Sequence, residues 1–176
     1  IIKKGLFNVI GGGYHNYVNN SKYTFNGGGK SNLINVSHYS LIVGGVSNYI
    51  KNNRYSFIGG GNLNVISQNT TVYVHNVIVG GSGNTISRSS YNFIGNGISN
   101  KIYNSSKSTH HNAILAGTNN IIKDAVNSSI LAGTTHTLTA DNSAIIGGAS
   151  YTFAQSNAVL LSRGFLQNVN FGGTYM

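Results

Sequence analysis

Polar and apolar residues alternate along this chain in short runs, and the pattern returns about every 16 residues with an asparagine as its most regular mark. Three residues before this anchor position a glycine stands in all nine copies, and two residues after it stands a large apolar residue. Six residues before it is isoleucine in eight of nine copies, with Asn26 as the exception. The anchors are Asn16, Asn32, Asn48, Asn64, Asn84, Asn100, Asn120, His136 and Tyr151. A short period held this long is typical of a solenoid.

Each repeat has room for two short strands and two turns, which is one rung of a β-solenoid. Apolar residues alternate within the strands, where Val, Ile, Tyr, Phe and Thr dominate, while Gly, Asn and Ser fill the turns. The chain has no proline, as a stacked hydrogen-bonded ladder requires. The pattern therefore predicts an all-β chain of about nine 16-residue rungs. We expect the glycine to need a positive φ or a close approach between rungs, and the anchor asparagines to form an amide ladder.

The repeat also predicts how the chain is divided. Residues 1–6 match the second half of a rung, so we expect them to end a preceding rung of a longer protein. The rungs occupy residues 7–161. Residues 162–176 lose the register, and we expect a cap or a transition to a stalk.

The outward positions of the first strand predict an obligate partner. Seven and five residues before the anchor the side chains exchange volume: Phe is followed by Gly, Leu or Val by Val, and Ala or Ser by Leu or Ile. Such compensation is expected where both columns fill one close-packed space, most simply between copies of this chain around an axis. The second strand has polar outward positions instead. The predicted interface residues are Val9, Phe25, Leu41, Val43, Phe57, Val77, Val79, Phe93, Leu115, Leu131 and Ile146.

Composition limits the possible partners. The 11 basic residues outnumber the two acids, and the formal net charge is +9. This charge favours acidic partners, but the bases are scattered and no groove-reading motif is present, so we do not expect a nucleic acid partner. No apolar run is long enough to span a bilayer, and we expect no membrane insertion by this segment. The chain has no cysteine, so the redox compartment cannot be deduced.

The run from Ser56 to Ile66, Ser-Phe-Ile-Gly-Gly-Gly-Asn-Leu-Asn-Val-Ile, resembles the head repeats of YadA-like trimeric autotransporter adhesins and of related phage and viral fibre proteins. The resemblance extends over about residues 7–162. It implies a left-handed parallel β-roll, a parallel homotrimer and an exposed adhesive role on a bacterial cell or a virion. The 16-residue rung, which is longer than the adhesin repeat, and the excess of Asn and Gly depart from the adhesin pattern.

A stripe of basic and aromatic residues is the first candidate binding site. An aromatic column runs nine residues before the anchor, and beside it stand bases, giving Lys22-Tyr23, His38-Tyr39 and Arg54-Tyr55. Because neighbouring rungs lie about 4.8 Å apart, this stripe is suited to an acidic glycan, with the tyrosine rings as stacking faces for a sugar. Packing of the turn by the tyrosines is the alternative.

Two extra-length turns are the other candidates, at about residues 68–74 and 104–110. Four added residues must bulge from the same edge of the solenoid, and insertions in repeat arrays often gather on a binding face. The second turn contributes Lys107 and His110 as predicted ligand-binding residues. His110-His111 lacks a third ligand nearby, so no metal site and no cofactor are predicted.

Catalysis is not expected. Asp124 and Asp141 are the only acids, and although glycoside hydrolysis uses two carboxylates, both occupy positions typical of solvated turn residues. The sequence thus predicts a non-enzymatic, extracellular fibre or adhesin head that attaches to a host surface. A purely structural spacer of a virion or phage fibre is the alternative, followed by a polysaccharide-degrading tailspike.

Overall fold

The computed structural model describes residues 1–69, 74–105 and 110–161, and in these ranges the chain forms strands and turns without a helix. Twenty strands alternate between two parallel ten-stranded sheets. Sheet A contains β1 (Ile2–Leu6), β3 (Tyr17–Lys22), β5 (Leu33–Asn35), β7 (Tyr49–Lys51), β9 (Val65–Ser67), β11 (Thr85–Ser87), β13 (Lys101–Tyr103), β15 (Ile121–Lys123), β17 (Thr137–Leu138) and β19 (Thr152–Phe153). Sheet B contains β2 (Val9–Ile10), β4 (Phe25–Asn26), β6 (Leu41–Ile42), β8 (Phe57–Ile58), β10 (Val77–Ile78), β12 (Phe93–Ile94), β14 (Ala113–Ile114), β16 (Ser129–Ile130), β18 (Ala144–Ile145) and β20 (Val159–Leu160).

The register of the sheets follows the sequence period. Ile34 pairs with Ile50 in sheet A, and Ile42 pairs with Ile58 in sheet B, each 16 residues apart. Where the period lengthens, the pairing is kept: Ile66 lies opposite Ile86 although 20 residues separate them. The predicted β-solenoid of about nine rungs is confirmed, and ten strands at about 4.8 Å spacing give a rod of roughly 43 Å. Residues 162–176, the predicted cap or stalk entry, lie outside the described residues.

The core is a double column of aliphatic side chains between the two sheets. Isoleucines of sheet B, such as Ile58, face isoleucines of sheet A, such as Ile66, and both are fully buried. Asn26 interrupts the column in sheet B, where its Nδ2 donates to the carbonyl of Asn32 at 3.1 Å. Its Oδ1 is buried without a hydrogen-bond partner. Two aliphatic columns make a thin core, so much of the cohesion comes from hydrogen bonds between rungs.

The anchor asparagines form the predicted ladder, but the bonds run mainly from side chain to backbone. Each Oδ1 accepts the backbone N–H of the next anchor, as in the 3.0 Å bond from Asn64 N to Asn48 Oδ1. Each Nδ2 donates to two carbonyls; for Asn64 these are Gly60 at 2.8 Å and Gly81 at 3.0 Å. The amide therefore satisfies backbone groups that the turn leaves unpaired.

A second buried polar ladder runs eight residues before the anchor. Asn92 donates its backbone N–H to Asn76 Oδ1 at 3.0 Å, and Asn112 donates to Asn92 Oδ1 at 3.1 Å. Ser128 and Ser143 continue the ladder, with Ser128 N to Asn112 Oδ1 at 2.9 Å and Ser143 N to Ser128 Oγ at 3.2 Å. Both turns of a rung are thus closed by side chains that bond the neighbouring rung.

The corners of the rungs place non-glycine residues in the left-handed region of backbone conformation. One corner does so immediately before the anchor, as at Leu63 with φ 57°. The other corner does so at two positions, exemplified by Val36 with φ 50° and Tyr39 with φ 51°. For a β-branched residue such as Val36 this conformation is a strained one. The stacked ladders on either side hold the corners in place.

Candidate functional site

The structure brings the predicted basic and aromatic residues together on one edge of the rod. We call this the basic edge, formed by Lys22, His38 and Arg54 with the adjacent Tyr23, Tyr39 and Tyr55. Parallel bridges join Lys22 to His38 and His38 to Arg54. All these residues except Tyr55 line a shallow hollow of about 200 Å³. The basic edge is therefore continuous over three rungs.

His38 does not add a full charge to the basic edge at neutral pH. Burial, then the nearby Arg54 and, more weakly, Lys22 lower the pKa of His38 below its ordinary value of 6.5, against an opposing hydrogen bond with the Ser37 backbone. Its Nδ1 accepts the backbone N–H of Lys22 at 3.1 Å, which also favours the neutral ring. The edge thus presents two permanent cations with a neutral imidazole between them.

The tyrosines form part of a continuous column of stacked rings. Tyr23 and Tyr39 lie 5.0 Å apart between ring centroids with an interplanar angle of 5°, and Tyr39 and Tyr55 lie 5.1 Å apart at 8°. The column is Phe7, Tyr23, Tyr39, Tyr55, His75, Tyr91 and His111. Because each ring covers the face of the next, the faces of Tyr23 and Tyr39 are occupied by neighbouring rings. The stacking of a sugar on these faces, expected from the sequence, is therefore wrong; ring edges remain exposed.

The column changes chemistry towards the C-terminal end of the rod. The same register position is Asn127, Asn142 and then Asn157, and their side chains form an amide ladder. Asn127 Nδ2 donates to Asn142 Oδ1, and Asn142 Nδ2 donates to Asn157 Oδ1, each at 3.1 Å. Rings and amides are alternative ways of joining one corner to the next, so the aromatic column has a structural role.

The predicted residues of the second extra-length turn are not joined to the basic edge. His110 lies in the same register column as Arg54 but three rungs further along, where it forms a bridge with Ser90. Its Nδ1 is buried without a hydrogen-bond partner, and its ring lies 6.1 Å from that of His111. Lys107 falls outside the described residues.

The outer face of sheet B carries the predicted interface residues in two parallel columns. Eight of the eleven are exposed, including Leu41, Phe93 and Ile146, and the other three, Phe57, Val77 and Leu131, are half-buried. The volume exchange has a direct geometric basis: a Cβ added to Gly59 would lie 3.2 Å from Cε1 of Phe57, because the ring extends over the glycine. The two columns therefore share one layer of space, as predicted.

Both acids are engaged by the backbone of turns. Asp124 accepts the N–H of Ser105 at 2.7 Å through Oδ1 and the Ser105 hydroxyl through Oδ2. Asp141 accepts the N–H of Val126 at 2.9 Å. These bonds give each carboxylate a structural function in its turn.

A polar hollow between the two extra-length turns was not identified from the sequence. It measures about 340 Å³, and Ser67, Ser87, Arg88, Tyr103 and Asn104 are among its lining residues. The signal was present in the two 20-residue steps, which enclose a single rung of normal length. Its residues are spread over 38 positions of sequence, so that only the register of the sheet brings them together.

With this geometry in place, comparison with known proteins adds no further identification. No protein-family model and no curated protein matches the chain. Within residues 1–69, 74–105 and 110–161, no three His, Cys, Asp or Glu side chains cluster as metal ligands would, and no helix has the length and apolarity to cross a membrane.

His136 makes the stability of the C-terminal rungs depend on pH. It occupies an anchor position, is fully buried, and its Nδ1 accepts the Tyr151 N–H at 3.3 Å. Burial lowers the pKa of His136 below 6.5, with the Gly148 backbone opposing the shift. Below pH 6.5 the unfolded chain takes up a proton that the folded ring resists, so the free energy of unfolding falls as the pH drops from about 6.5 towards the folded pKa.

We therefore expect His136→Asn, which restores the anchor residue of seven other rungs, to flatten the loss of stability below about pH 6.5. The measurement is urea unfolding of both proteins from pH 5 to 8 at one protein concentration. Some slope remains in the variant, because His38 has a pKa lowered in the same direction. Identical slopes in the two proteins would contradict this role of His136.

Proposed function

We propose that this chain is a rod-shaped segment of an extracellular fibre or adhesin head, assembled as a parallel homotrimer of left-handed β-rolls and attached to host surfaces. The observation that carries the proposal is the exposed apolar outer face of sheet B, which runs along the rod. An apolar face of this extent is costly to leave in water and marks an interaction surface. The resemblance to trimeric adhesin heads supplies the number of chains.

A second copy is the partner that best fits this face. Its side chains repeat at the spacing of the strands, so a partner must present matching side chains at the same interval over many rungs. Another copy in parallel register does this without further design, and a closed symmetric ring uses up every such face. The outward columns of sheet B contain no charged residue in the nine rungs, which suits contact with an identical face.

The formal charge supports an anionic surface as the target. Each chain carries a net charge of +9 with only two acids, and both acids bond turn backbone. Parallel copies place their basic edges on one rod, so weak contacts combine through avidity. Long-range attraction of this kind raises the encounter rate and weakens with salt. A host glycan rich in carboxylates or sulfates has the required charge.

A structural spacer is the second candidate, favoured by the ring column. Since the rings of Tyr23, Tyr39 and Tyr55 stack on one another, the tyrosines have a structural reason to be present without a ligand. Under this alternative the segment sets the length of a virion or phage fibre, and the positive charge serves solubility.

The two candidates differ in what a charge reversal does. We expect Lys22→Glu with Arg54→Glu to reduce adhesion to anionic cells several-fold and to remove most of its salt dependence. The control is Lys30→Glu with Lys101→Glu, which changes the net charge equally away from the basic edge. Both variants are compared with the parent protein after light scattering has shown the same assembly mass. Adhesion that is unchanged in the first variant, or reduced equally in both, would reject the basic edge as the attachment site.

A further inference from the structure

The polar hollow between the two extra-length turns has the geometry of a small binding site. Its floor lies on sheet A, where Ser67, Ser87 and Tyr103 are in register on adjacent strands. The two serines leave space that the tyrosine closes at one end, and the starts of the turns contribute Asn69 and Asn104 at the sides. A volume of about 340 Å³ is at the lower end of the roughly 300–1,000 Å³ of small-molecule sites.

The lining groups are held in place by their neighbours. Arg88 has φ 51° and donates its backbone N–H to Ser67 O at 3.0 Å, which fixes the corner that carries its guanidinium. Asp124 binds both the N–H and the hydroxyl of Ser105, another lining residue. The ammonium of Lys123 lies 6.0 Å from the ring centroid of Tyr103. A site with fixed groups loses little conformational freedom when a ligand binds.

The chemistry of the lining indicates the kind of ligand. Amides and hydroxyls from four of the lining residues offer donors and acceptors suited to sugar hydroxyls. Asn104 Oδ1 is buried without a hydrogen-bond partner, so a small rotation of the amide would let it accept from a bound hydroxyl. Arg88 is the cation among the lining residues, and guanidinium groups bind carboxylates through two parallel hydrogen bonds.

From these groups we infer that the hollow binds one acidic sugar residue, with the carboxylate on Arg88 and the ring hydroxyls on the surrounding amides and serines. A single guanidinium among neutral groups fits one carboxylate on a sugar better than a polyanionic backbone, which requires several cations. Lys51 and Lys123 flank the serine floor in the same register column and add long-range attraction. The site deepens the attachment role proposed above by giving it a defined glycan subsite. The hollow is complete within one chain, so it does not depend on the trimer.

The test is a titration by saturation-transfer NMR with methyl β-glucuronide, and with methyl β-glucoside as the uncharged counterpart. We expect the parent protein to bind the glucuronide and to bind the glucoside about tenfold more weakly or not at all, since a charge-assisted hydrogen bond is lost. Arg88→Gln should weaken glucuronide binding to a similar degree. Ser87→Tyr, which fills the hollow with the residue found at the same register in β13, should abolish binding of both probes.

Arg54→Gln is the matched control, because it removes the same charge from the basic edge and leaves the hollow intact. Equal binding by the parent protein, Arg88→Gln and Ser87→Tyr would overturn the inference. So would equal binding of the two probes, no binding of the glucuronide, or a loss in Arg54→Gln as large as that in Arg88→Gln. Arg88 is an exposed corner residue, so its variant stays informative if Ser87→Tyr fails to fold. Light scattering on the same samples reports assembly, so failure of the trimer and failure of the sugar site are distinguished.

Discussion

Gly61→Ala is expected to unfold the rod far below the melting temperature of the parent protein, while the neighbouring Gly60→Ala is tolerated. Gly61 has φ 86°, which an alanine adopts only with strain. An added Cβ would also overlap the carbonyl oxygen of Gly81 and lie 2.7 Å from Asn64 Nδ2. These are the groups that the anchor ladder joins, so no flexible side chain can give way. We expect a loss of roughly 3 kcal/mol or more, at the upper end for one substitution.

Gly60 is the matched control because it differs only in its environment. A Cβ at Gly60 meets nothing within 4 Å, and its backbone lies outside the left-handed region. Gly60→Ala should therefore leave stability unchanged or raise it by about 0.4–1 kcal/mol, through a less flexible unfolded chain. Thermal and urea unfolding at equal protein concentration measures both variants. Similar losses at the two positions would mean that the contact between rungs at Gly61 is not a determinant of the fold.

Phe57→Asp is expected to dissociate the proposed trimer. The Phe57 ring extends over Gly59 and lies in the apolar outer face of sheet B. In a closed trimer the aspartate would be buried without a cation, at a cost of several kcal/mol per ion. Leu131→Asp should act in the same way at another rung. Light scattering should report the mass of one chain, or unfolding, for both variants and the mass of three chains for the parent protein.

Ser67→Asp provides the comparison for that experiment. It introduces the same carboxylate in the same rung, but on the outer face of sheet A, where β9 is half-buried and polar. This variant should keep the mass of the parent protein. The proposed trimer fails if the unmutated chain is a stable monomer, and the location of the interface fails if Ser67→Asp dissociates the assembly while Phe57→Asp does not.

The fold was predictable because every feature that defines it recurs at one register. Isoleucine columns, the glycine before each anchor and the anchor asparagines appear in nearly all nine rungs, so chance matches cancel. The left-handed corners were not predicted, because their occupants are as different as Leu63, Val36 and Tyr39. There the conformation is imposed by stacking between rungs rather than by a residue's own preference.

The candidate sites were predictable in position but not in state. Adjacency of Lys22, His38 and Arg54 followed from the period alone, since equal register means contact between rungs. The lowered pKa of His38 did not follow, because it depends on burial and on the direction of its Nδ1. The direction of the tyrosine rings was likewise inaccessible, and it reverses the expected use of their faces.

The strict pairing of each rung with the next has a consequence for how such a chain evolves. Sheet pairs, anchor bonds and stacked rings all join one residue to its equivalent in the adjacent rung. Duplication or loss of one whole 16-residue segment therefore re-forms the same contacts and changes the rod by about 4.8 Å. A gain or loss within a strand instead displaces every later ladder from its partner. Length is thus inherited in discrete steps, and intermediate lengths are accommodated only where a corner can bulge, as at the two extended turns.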